Sequence, residues 1–311
     1  MNSISPIILT QGLSRDFKSN RAVDRLDISI QPGELFGIVG PDGAGKTTTL
    51  RLLAGLLDIS DGSAQVVGFN LKKNPESVKP KVGYMAQEFS LYAELSVLEN
   101  LTFFAELYDL DKNQMRERRD SLLEFAGLTE FKQRRADKLS GGMQKKLSLA
   151  CTLIHNPPLL LLDEPTTGVD PISRREFWNI LTDLHLHGTT ILISTPYMDE
   201  ADRCTRVGLM YQGRLVECAP PHEIRANLKG ELVEITPSDW KQALQLLEDL
   251  PGIIAIQTYG ESLHILVNSV DEQLPEIKNV LHKHDIKYQN VRQTSARMEE
   301  AFISLIRQIE A

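Results

Sequence analysis

The chain has 311 residues, of which 41% are hydrophobic and 24% are charged, and its formal net charge is −8. This composition is typical of a globular protein with about two domains, and it excludes collagen, coiled coil and wholesale disorder. The acidic balance lacks the basic footprint of nucleic-acid binders, so no nucleic-acid partner is expected.

The sequence has no apolar run of about 18 residues, the length needed to span a bilayer. Its first residues lack the basic and then apolar pattern of a secretion signal. Cys151, Cys204 and Cys218 are odd in number and are not spaced as metal ligands. A cytoplasmic location is therefore expected.

Up to about residue 225, short apolar runs alternate with helical patterns, which predicts a mainly parallel sheet with helices on both faces. Three runs are predicted as buried strands, at residues 35–39, 159–162 and 190–194. Ligands of such sheets bind at the carboxyl ends of the strands. We therefore expect the ends of these three strands to converge on a site.

The first strand leads into residues 40–47, which read GPDGAGKT and fit the phosphate-loop pattern GxxxxGK[ST]. Glycines let the backbone wrap around phosphates, and the following helix N-terminus attracts anions. That helix is predicted from Leu50, Leu53, Ala54 and Leu57 on one face. The expected nucleotide-contacting residues are Gly40, Pro41, Asp42, Gly43, Ala44, Gly45, Lys46, Thr47 and Thr48.

Residues 95–138 are predicted as a mostly helical insert, opened by the capping-box pair Ser96 and Glu99. Residues 139–144, which read LSGGMQ, then open another helix and present its N-terminus to an anion.

The second strand ends in Asp163 and Glu164, as a metal-assisted phosphoryl-transfer site requires. Asp163 would hold Mg²⁺, and Glu164 would polarise the attacking water. Capping of the next helix is the alternative role for this pair of carboxylates, and the phosphate loop argues against it.

After residue 230 the pattern restarts as βαββαβ, the ferredoxin-like plan, followed by a helix over about 296–309. The apolar stripe of that helix comprises Met298, Phe302, Leu305 and Ile309. The predicted domains are therefore residues 1–227 and 228–311. The second domain is expected to give structural support or to stabilise a dimer, with a regulatory ligand pocket as the alternative.

Together these motifs resemble the ATPase subunits of ATP-binding-cassette (ABC) transporters over about residues 7–225. The resemblance implies the P-loop ABC-ATPase fold, with an antiparallel β subdomain and the helical insert beside the parallel sheet. It implies ATP and Mg²⁺ as cofactors and two nucleotide-binding domains docked head to tail. Ser140, Gly141 and Gly142 would then contact the partner's ATP.

The resemblance also assigns single residues. Phe17 matches the aromatic that stacks on adenine, and Gln87 matches the glutamine that contacts Mg²⁺ and serves catalysis. Thr47 and Asp163 complete the implied metal site. Asp170 matches the segment that communicates across the dimer.

The insert, the run 165–171, the segment 198–202 and the C-terminal extension resemble the subfamily serving type-2 exporters. That resemblance implies that the chain binds separate transmembrane subunits at the inner face of the membrane. A periplasmic adaptor protein stays open as a further partner. Substrates across the subfamily include drugs, lipids and polysaccharides.

Two positions depart from the family pattern. Asp42 stands where the phosphate loop commonly has Asn, and Pro196 stands where the family has the switch histidine. Proline has no side-chain donor and no backbone N–H. The chain therefore resembles the first half of tandem-cassette multidrug exporters. Two interpretations stay open: an active ATPase, or a degenerate ATP-binding or nucleotide-sensing partner of a second ATPase.

Overall fold

The computed structural model describes residues 5–310, and the chain divides into two compact units. The first unit extends to residue 200 and includes 204–218, and the second comprises 201–203 and the chain from 219 onward. The sequence places the boundary after residue 227. Residues 219–227 lie instead with the second unit, because their helix packs against the last helix of the chain.

The first unit is built from two sheets and the helices around them. Its strands are β1 (Ile8–Phe17), β2 (Asn20–Leu26), β3 (Ser29–Ile30), β4 (Leu35–Val39), β5 (Asp61–Val66), β6 (Phe69–Asn70), β7 (Val82–Met85), β8 (Leu159–Asp163), β9 (Thr190–Thr195), β10 (Arg206–Tyr211) and β11 (Arg214–Ala219). Its helices are α1 (Lys46–Leu53), α2 (Val97–Leu107), α3 (Lys112–Phe125), α4 (Gly141–Thr152), α5 (Pro171–Leu186) and α6 (Met198–Ala201).

The central sheet has the order β11-β10-β4-β9-β8-β7, and β10, β4, β9, β8 and β7 pair in parallel. Every residue of β8 is buried, as expected for a strand covered on both faces. Since β4, β9 and β8 are neighbours, the ends of the three predicted strands lie side by side. The predicted convergence is confirmed.

The second sheet of this unit is antiparallel, with the order β2-β1-β5-β6 and β3 paired to β1. It supplies the predicted antiparallel subdomain. Its strand β1 ends at Phe17, at the edge of the site described below.

Helix α1 begins directly after the phosphate loop but is shorter than its sequence pattern indicates. It ends at Leu53, and Gly55 has a left-handed backbone with φ +68°, so Leu57 lies beyond the helix. A left-handed glycine of this kind commonly terminates a helix.

The insert is helical, as predicted. Helix α2 starts with the expected capping box: Ser96 Oγ accepts from the Glu99 N–H at 3.2 Å, and Glu99 Oε2 accepts from the Ser96 N–H at 2.7 Å. Helix α3 and two short 3₁₀ turns complete the segment.

The second unit carries the predicted ferredoxin-like fold. Its elements are α7 (Pro221–Ala226), β12 (Glu231–Pro237), α8 (Trp240–Glu248), β13 (Ile253–Tyr259), β14 (Ser262–Val267), α9 (Val270–Lys283), β15 (Tyr288–Thr294) and α10 (Met298–Glu310). The four strands form one antiparallel sheet with the order β13-β14-β12-β15.

The apolar stripe of α10 is shorter than predicted. Met298 and Phe302 are buried, whereas Ile309 is 56% exposed. The prediction that Ile309 packs with this stripe is therefore wrong. Within residues 5–310, none of the helices combines the length and the apolar character that crossing a bilayer demands.

Candidate functional site

A cavity of about 670 Å³ lies beside the phosphate loop. Nine of the residues singled out from the sequence line it: Phe17, Asp42, Gly43, Gly45, Lys46, Thr47, Thr48, Gln87 and Glu164. Five further lining residues were not foreseen: Asn20, Arg21, Ala22, Gln212 and Gly213. Such a volume suits one small-molecule ligand.

Two glycines of the phosphate loop, Gly40 and Gly45, have no room for a side chain. A Cβ on Gly45, whose φ is +105°, would lie 2.4 Å from the Ala22 carbonyl oxygen. A Cβ on Gly40 would lie 2.1 Å from the Met210 carbonyl oxygen. Only glycine can bring the backbone this close to its neighbours.

Lys46 lies across the loop with its ammonium almost fully buried. Its Nζ donates to the carbonyl oxygens of Gly40 at 2.9 Å and Pro41 at 3.0 Å, and lies 3.1 Å from Glu164 Oε1. Gly40 and Pro41 therefore act through their carbonyls on Lys46, and Ala44 is buried behind the loop. These three oxygen partners compensate the buried positive charge of Lys46.

Asp163 is fully buried at the end of β8. Its Oδ1 accepts from Thr47 Oγ1 at 3.0 Å and from Ser194 Oγ at 2.7 Å. The carboxylate and the hydroxyl are hard oxygen donors held side by side, and Mg²⁺ prefers such ligands. The donor set therefore fits this metal.

Glu164 lies beside Asp163 with an unusual backbone. Its φ is 45°, in the left-handed region that residues other than glycine rarely adopt. Its Oε2 accepts from Gln87 Nε2 at 2.9 Å and from Thr167 Oγ1 at 3.3 Å, and its N–H donates to Ser194 Oγ at 3.0 Å. Strained residues of this kind are concentrated at active sites.

Gln87 is joined to the helix that follows LSGG. Lys145 Nζ donates to the Gln87 carbonyl oxygen, and burial lowers the pKa of Lys145. Desolvation likewise raises the pKa of the neighbouring Tyr84, whose hydroxyl lies 3.5 Å from Asp163 Oδ2. The polar groups around both carboxylates therefore lie in a partly dehydrated environment.

Pro196 follows the last residue of β9 and does not line the cavity. The preceding Thr195 carbonyl accepts from the Gly40 N–H at 3.3 Å, so this strand end touches the phosphate loop. A side chain at position 196 starts next to the loop, but proline offers no hydrogen-bond donor there.

Ser140, Gly141, Gly142 and Asp170 lie outside the cavity. Ser140 caps α4 by accepting from the Met143 N–H at 3.3 Å, and Asp170 caps α5 by accepting from Ile172 and Ser173, which lowers the pKa of its carboxyl. A Cβ on Gly142 would lie 2.5 Å from Ser173 Oγ, so the two helix N-termini are closely packed. Ser140 and Gly141 are exposed, whereas Gly142 is buried.

Comparison with known proteins agrees with this geometry. Residues 23–167 match the family model described as ABC transporter. Over 304 residues the chain is 41% identical to the "Probable multidrug ABC transporter ATP-binding protein YbhF" of Escherichia coli (strain K12), covering 96% of this chain and 52% of that protein. The chain thus spans about half the length of that relative.

Another relative is matched along its whole length. The "Nod factor export ATP-binding protein I" of Cupriavidus metallidurans is 34% identical over 306 residues, covering 97% of this chain and 98% of that protein. Among solved structures, cbiO1 from Clostridium perfringens, part of the ABC transporter complex cbiONQ, superposes with a TM-score of 0.66 at 25% identity, covering 79% of this chain and 96% of that chain.

Proposed function

The chain belongs to the ABC transporter family as an ATP-binding protein of its ATPase class, and we propose that it drives export through separate membrane-spanning subunits. The observation that carries this proposal is the meeting of the buried Lys46, the Thr47–Asp163 pair and Glu164 at one cavity. These groups supply the cation, the oxygen ligands and the base that ATP hydrolysis requires.

Adenine would stack on Phe17 at the cavity rim, and the phosphates would follow residues 40–48. Phe17 is 41% exposed, so part of its ring is accessible to a ligand. The guanidinium of Arg15 lies over that ring, 4.8 Å from its centre, in a cation–π contact that supports the ring.

Thr47 and Asp163 would hold Mg²⁺, with the Gln87 amide oxygen as a third ligand. When bound, the metal would neutralise charge that develops on the phosphates. No group of three or more His, Cys, Asp or Glu residues suited to a metal occurs within residues 5–310. The expected site therefore needs ATP oxygens and water to complete its ligands, as is usual for Mg²⁺.

The contact between Lys46 and Glu164 would be broken by the substrate. A terminal phosphate would compete for the ammonium, and Glu164 would then accept a proton from the attacking water. Gln87 and Thr167, which both donate to Glu164 Oε2, would keep the carboxylate oriented.

Head-to-tail pairing with a second nucleotide-binding domain would bring Ser140, Gly141 and Gly142 onto the partner's ATP. Asp170 would lie at the contact between the two domains. Closure on ATP and reopening after hydrolysis would move the membrane subunits, at whose cytoplasmic face the chain would bind. The names of its relatives, which concern multidrug transport and Nod factor export, make drugs and Nod factors the substrates to test.

A second role, as the ATP-holding partner of a more active ATPase, is favoured by Pro196 alone. This chain would then close on ATP and turn it over slowly, and the partner would contribute most of the hydrolysis.

Steady-state ATP hydrolysis with Mg²⁺ tests both roles. For an active ATPase we expect turnover that Glu164→Gln lowers by about 100-fold or more, with nucleotide binding retained. For the ATP-holding partner we expect binding with negligible turnover, which Pro196→His raises. Failure of the wild-type chain to bind ATP would contradict both.

A further inference from the structure

Glu200 is a buried carboxylate outside the cavity, and the proposed mechanism makes no use of it. It lies in the short helix α6 and is 1% exposed. Its Oε1 accepts from Thr166 Oγ1 at 2.8 Å and from Arg174 Nε at 2.6 Å, and its Oε2 accepts from Thr195 Oγ1 at 2.6 Å. A buried charge is tolerated only when it is paired and hydrogen-bonded in this way.

The two threonines lie on either side of the candidate active site. Thr166 lies two residues after Glu164, and Thr195 is the last residue of β9. Between them, Ser194 Oγ donates to Asp163 and accepts from the Glu164 N–H. Glu200 therefore fastens the loop that follows Glu164 to the strand end that precedes Pro196.

Arg174 connects this network to a third segment. It lies on α5, whose N-cap is Asp170, and it also contacts Asp199 Oδ1 at 3.0 Å and lies 4.2 Å from the centre of the Tyr197 ring. The Tyr197 N–H in turn donates to Thr195 Oγ1 at 3.1 Å. The backbone on both sides of Pro196 is thus held by contacts that end at Glu200 and Arg174.

These contacts matter because of the backbone of Glu164. A left-handed glutamate persists only where its surroundings hold it, and the surroundings here are the loop bearing Thr166 and the neighbouring end of β9. Because Pro196 offers no side-chain donor at this site, the position of Glu164 depends more heavily on the hydrogen bonds that Thr166 and Thr195 make to Glu200.

We infer that Glu200 is a positioning residue for ATP hydrolysis, which holds Glu164 at its working distance from the phosphate loop through Thr166 and Thr195. This inference rests on the proposed function, since it concerns the rate of hydrolysis at that site. Glu200 touches neither the cavity nor the expected reacting atoms, and it acts only through the two threonines.

The test compares threonine variants with matched controls in the full chain. Thr166→Val and Thr195→Val remove a hydroxyl at nearly constant volume, whereas Thr166→Ser and Thr195→Ser keep it. Glu200→Gln keeps the shape of the side chain but removes the charge that pairs with Arg174. For each variant, kcat and KM for Mg·ATP are measured per nucleotide-binding site, so that any unfolded fraction does not count.

Each Val variant and Glu200→Gln should lower kcat about tenfold with KM changed less than twofold, and each Ser variant should stay within twofold of wild type in kcat. Combining Thr166→Val with Thr195→Val should lower kcat no further than Glu200→Gln does, since all three substitutions disrupt the same hydrogen-bond network around Glu200. A wild-type kcat in Glu200→Gln, or Ser variants as slow as Val variants, would overturn the inference and leave the proposed function intact. A wild-type chain without Glu164-dependent hydrolysis would overturn the proposed function, and the role of Glu200 with it.

Discussion

Each of the two units buries a glutamate, but the two side chains lie in different surroundings. In the first unit, Glu164 borders the 670 Å³ cavity and has a left-handed backbone. In the second unit, Glu300 lies in the regular helix α10, where its Oε1 is 2.9 Å from His264 Nδ1 and its Oε2 accepts from the Arg297 N–H at 2.7 Å. Both carboxylates are at most 5% exposed.

Under the proposed function, the difference distinguishes a carboxylate that takes part in the reaction from one that supports the fold. The main cationic partner of Glu164 is Lys46, which a phosphate could take away. The partners of Glu300 are fixed parts of the same unit, namely a buried imidazole and a helix N-terminus. Burial and pairing alone therefore do not mark an active site, whereas a strained backbone beside a cavity with an exchangeable partner does.

We expect the largest difference between the two units when a side chain is introduced into the crowded phosphate loop. Gly45→Ala would place a Cβ 2.4 Å from the Ala22 carbonyl in a left-handed conformation, so the loop must shift. We expect ATP affinity to fall at least about tenfold and the free energy of unfolding to fall by about 1–3 kcal/mol. Calorimetric ATP titration and urea unfolding measure the two quantities.

The matched control lies in the second unit. Gly260→Ala has the same sign of φ, at +61°, but its Cβ would have no neighbour within 4 Å. We expect a loss of about 1–2 kcal/mol from the backbone alone and unchanged ATP affinity. Equal ATP affinities in the two variants would show that the close packing around Gly45 is irrelevant to binding.

A second test replaces Glu300, the buried glutamate of the second unit. Glu300→Gln removes the charge beside His264, and we expect the free energy of unfolding to fall by about 1–3 kcal/mol while ATP turnover stays within twofold. Urea unfolding and steady-state ATPase assays measure the two. Glu299→Gln is the control, because this neighbouring carboxylate is exposed and accepts a hydrogen bond from the Tyr259 hydroxyl at 3.0 Å. A large drop in ATP turnover with Glu300→Gln would contradict the view that Glu300 supports only the fold of the second unit.

The smallest effect compares two helix caps of the same chemistry. Asp170 caps α5 and Asp239 caps α8, each by accepting from two backbone N–H groups. Replacing either by Ala should destabilise its helix slightly, and we expect only Asp170→Ala to lower ATP turnover, by several-fold, if Asp170 also meets the second nucleotide-binding domain. ATPase assays over a range of protein concentrations, beside thermal unfolding, would reveal this, and equal turnover in both variants would contradict it.

The sequence predicted the parts of the site that short motifs encode. The phosphate loop and the three central strands are encoded by short stretches of chain, and the structure confirms that the strand ends converge. The capping box of α2, which lies outside the site, is confirmed in the same way. The ferredoxin-like order of the second unit follows from hydrophobic periodicity in the same way.

The remainder depends on pairings between distant segments. Ala22 and Gly213 line the cavity because β2 and the β10–β11 turn fold onto the loop, and no local pattern reports such a contact. The Gln212–Gly213 turn, with φ +47° and +81°, is recognisable as a hairpin signal but not as part of a site. The left-handed backbone of Glu164 and its pairing with Lys46 likewise appear only once β4 and β8 have both paired with β9.

The left-handed backbone of Glu164 has a genetic consequence. A glutamate codon becomes a glycine codon by a single base change, and glycine adopts this φ without steric penalty. Lys46 would still donate to the carbonyls of Gly40 and Pro41. In the proposed mechanism, Glu164→Gly would remove the base while relaxing the backbone, and we expect a folded chain that binds ATP but hydrolyses it far more slowly.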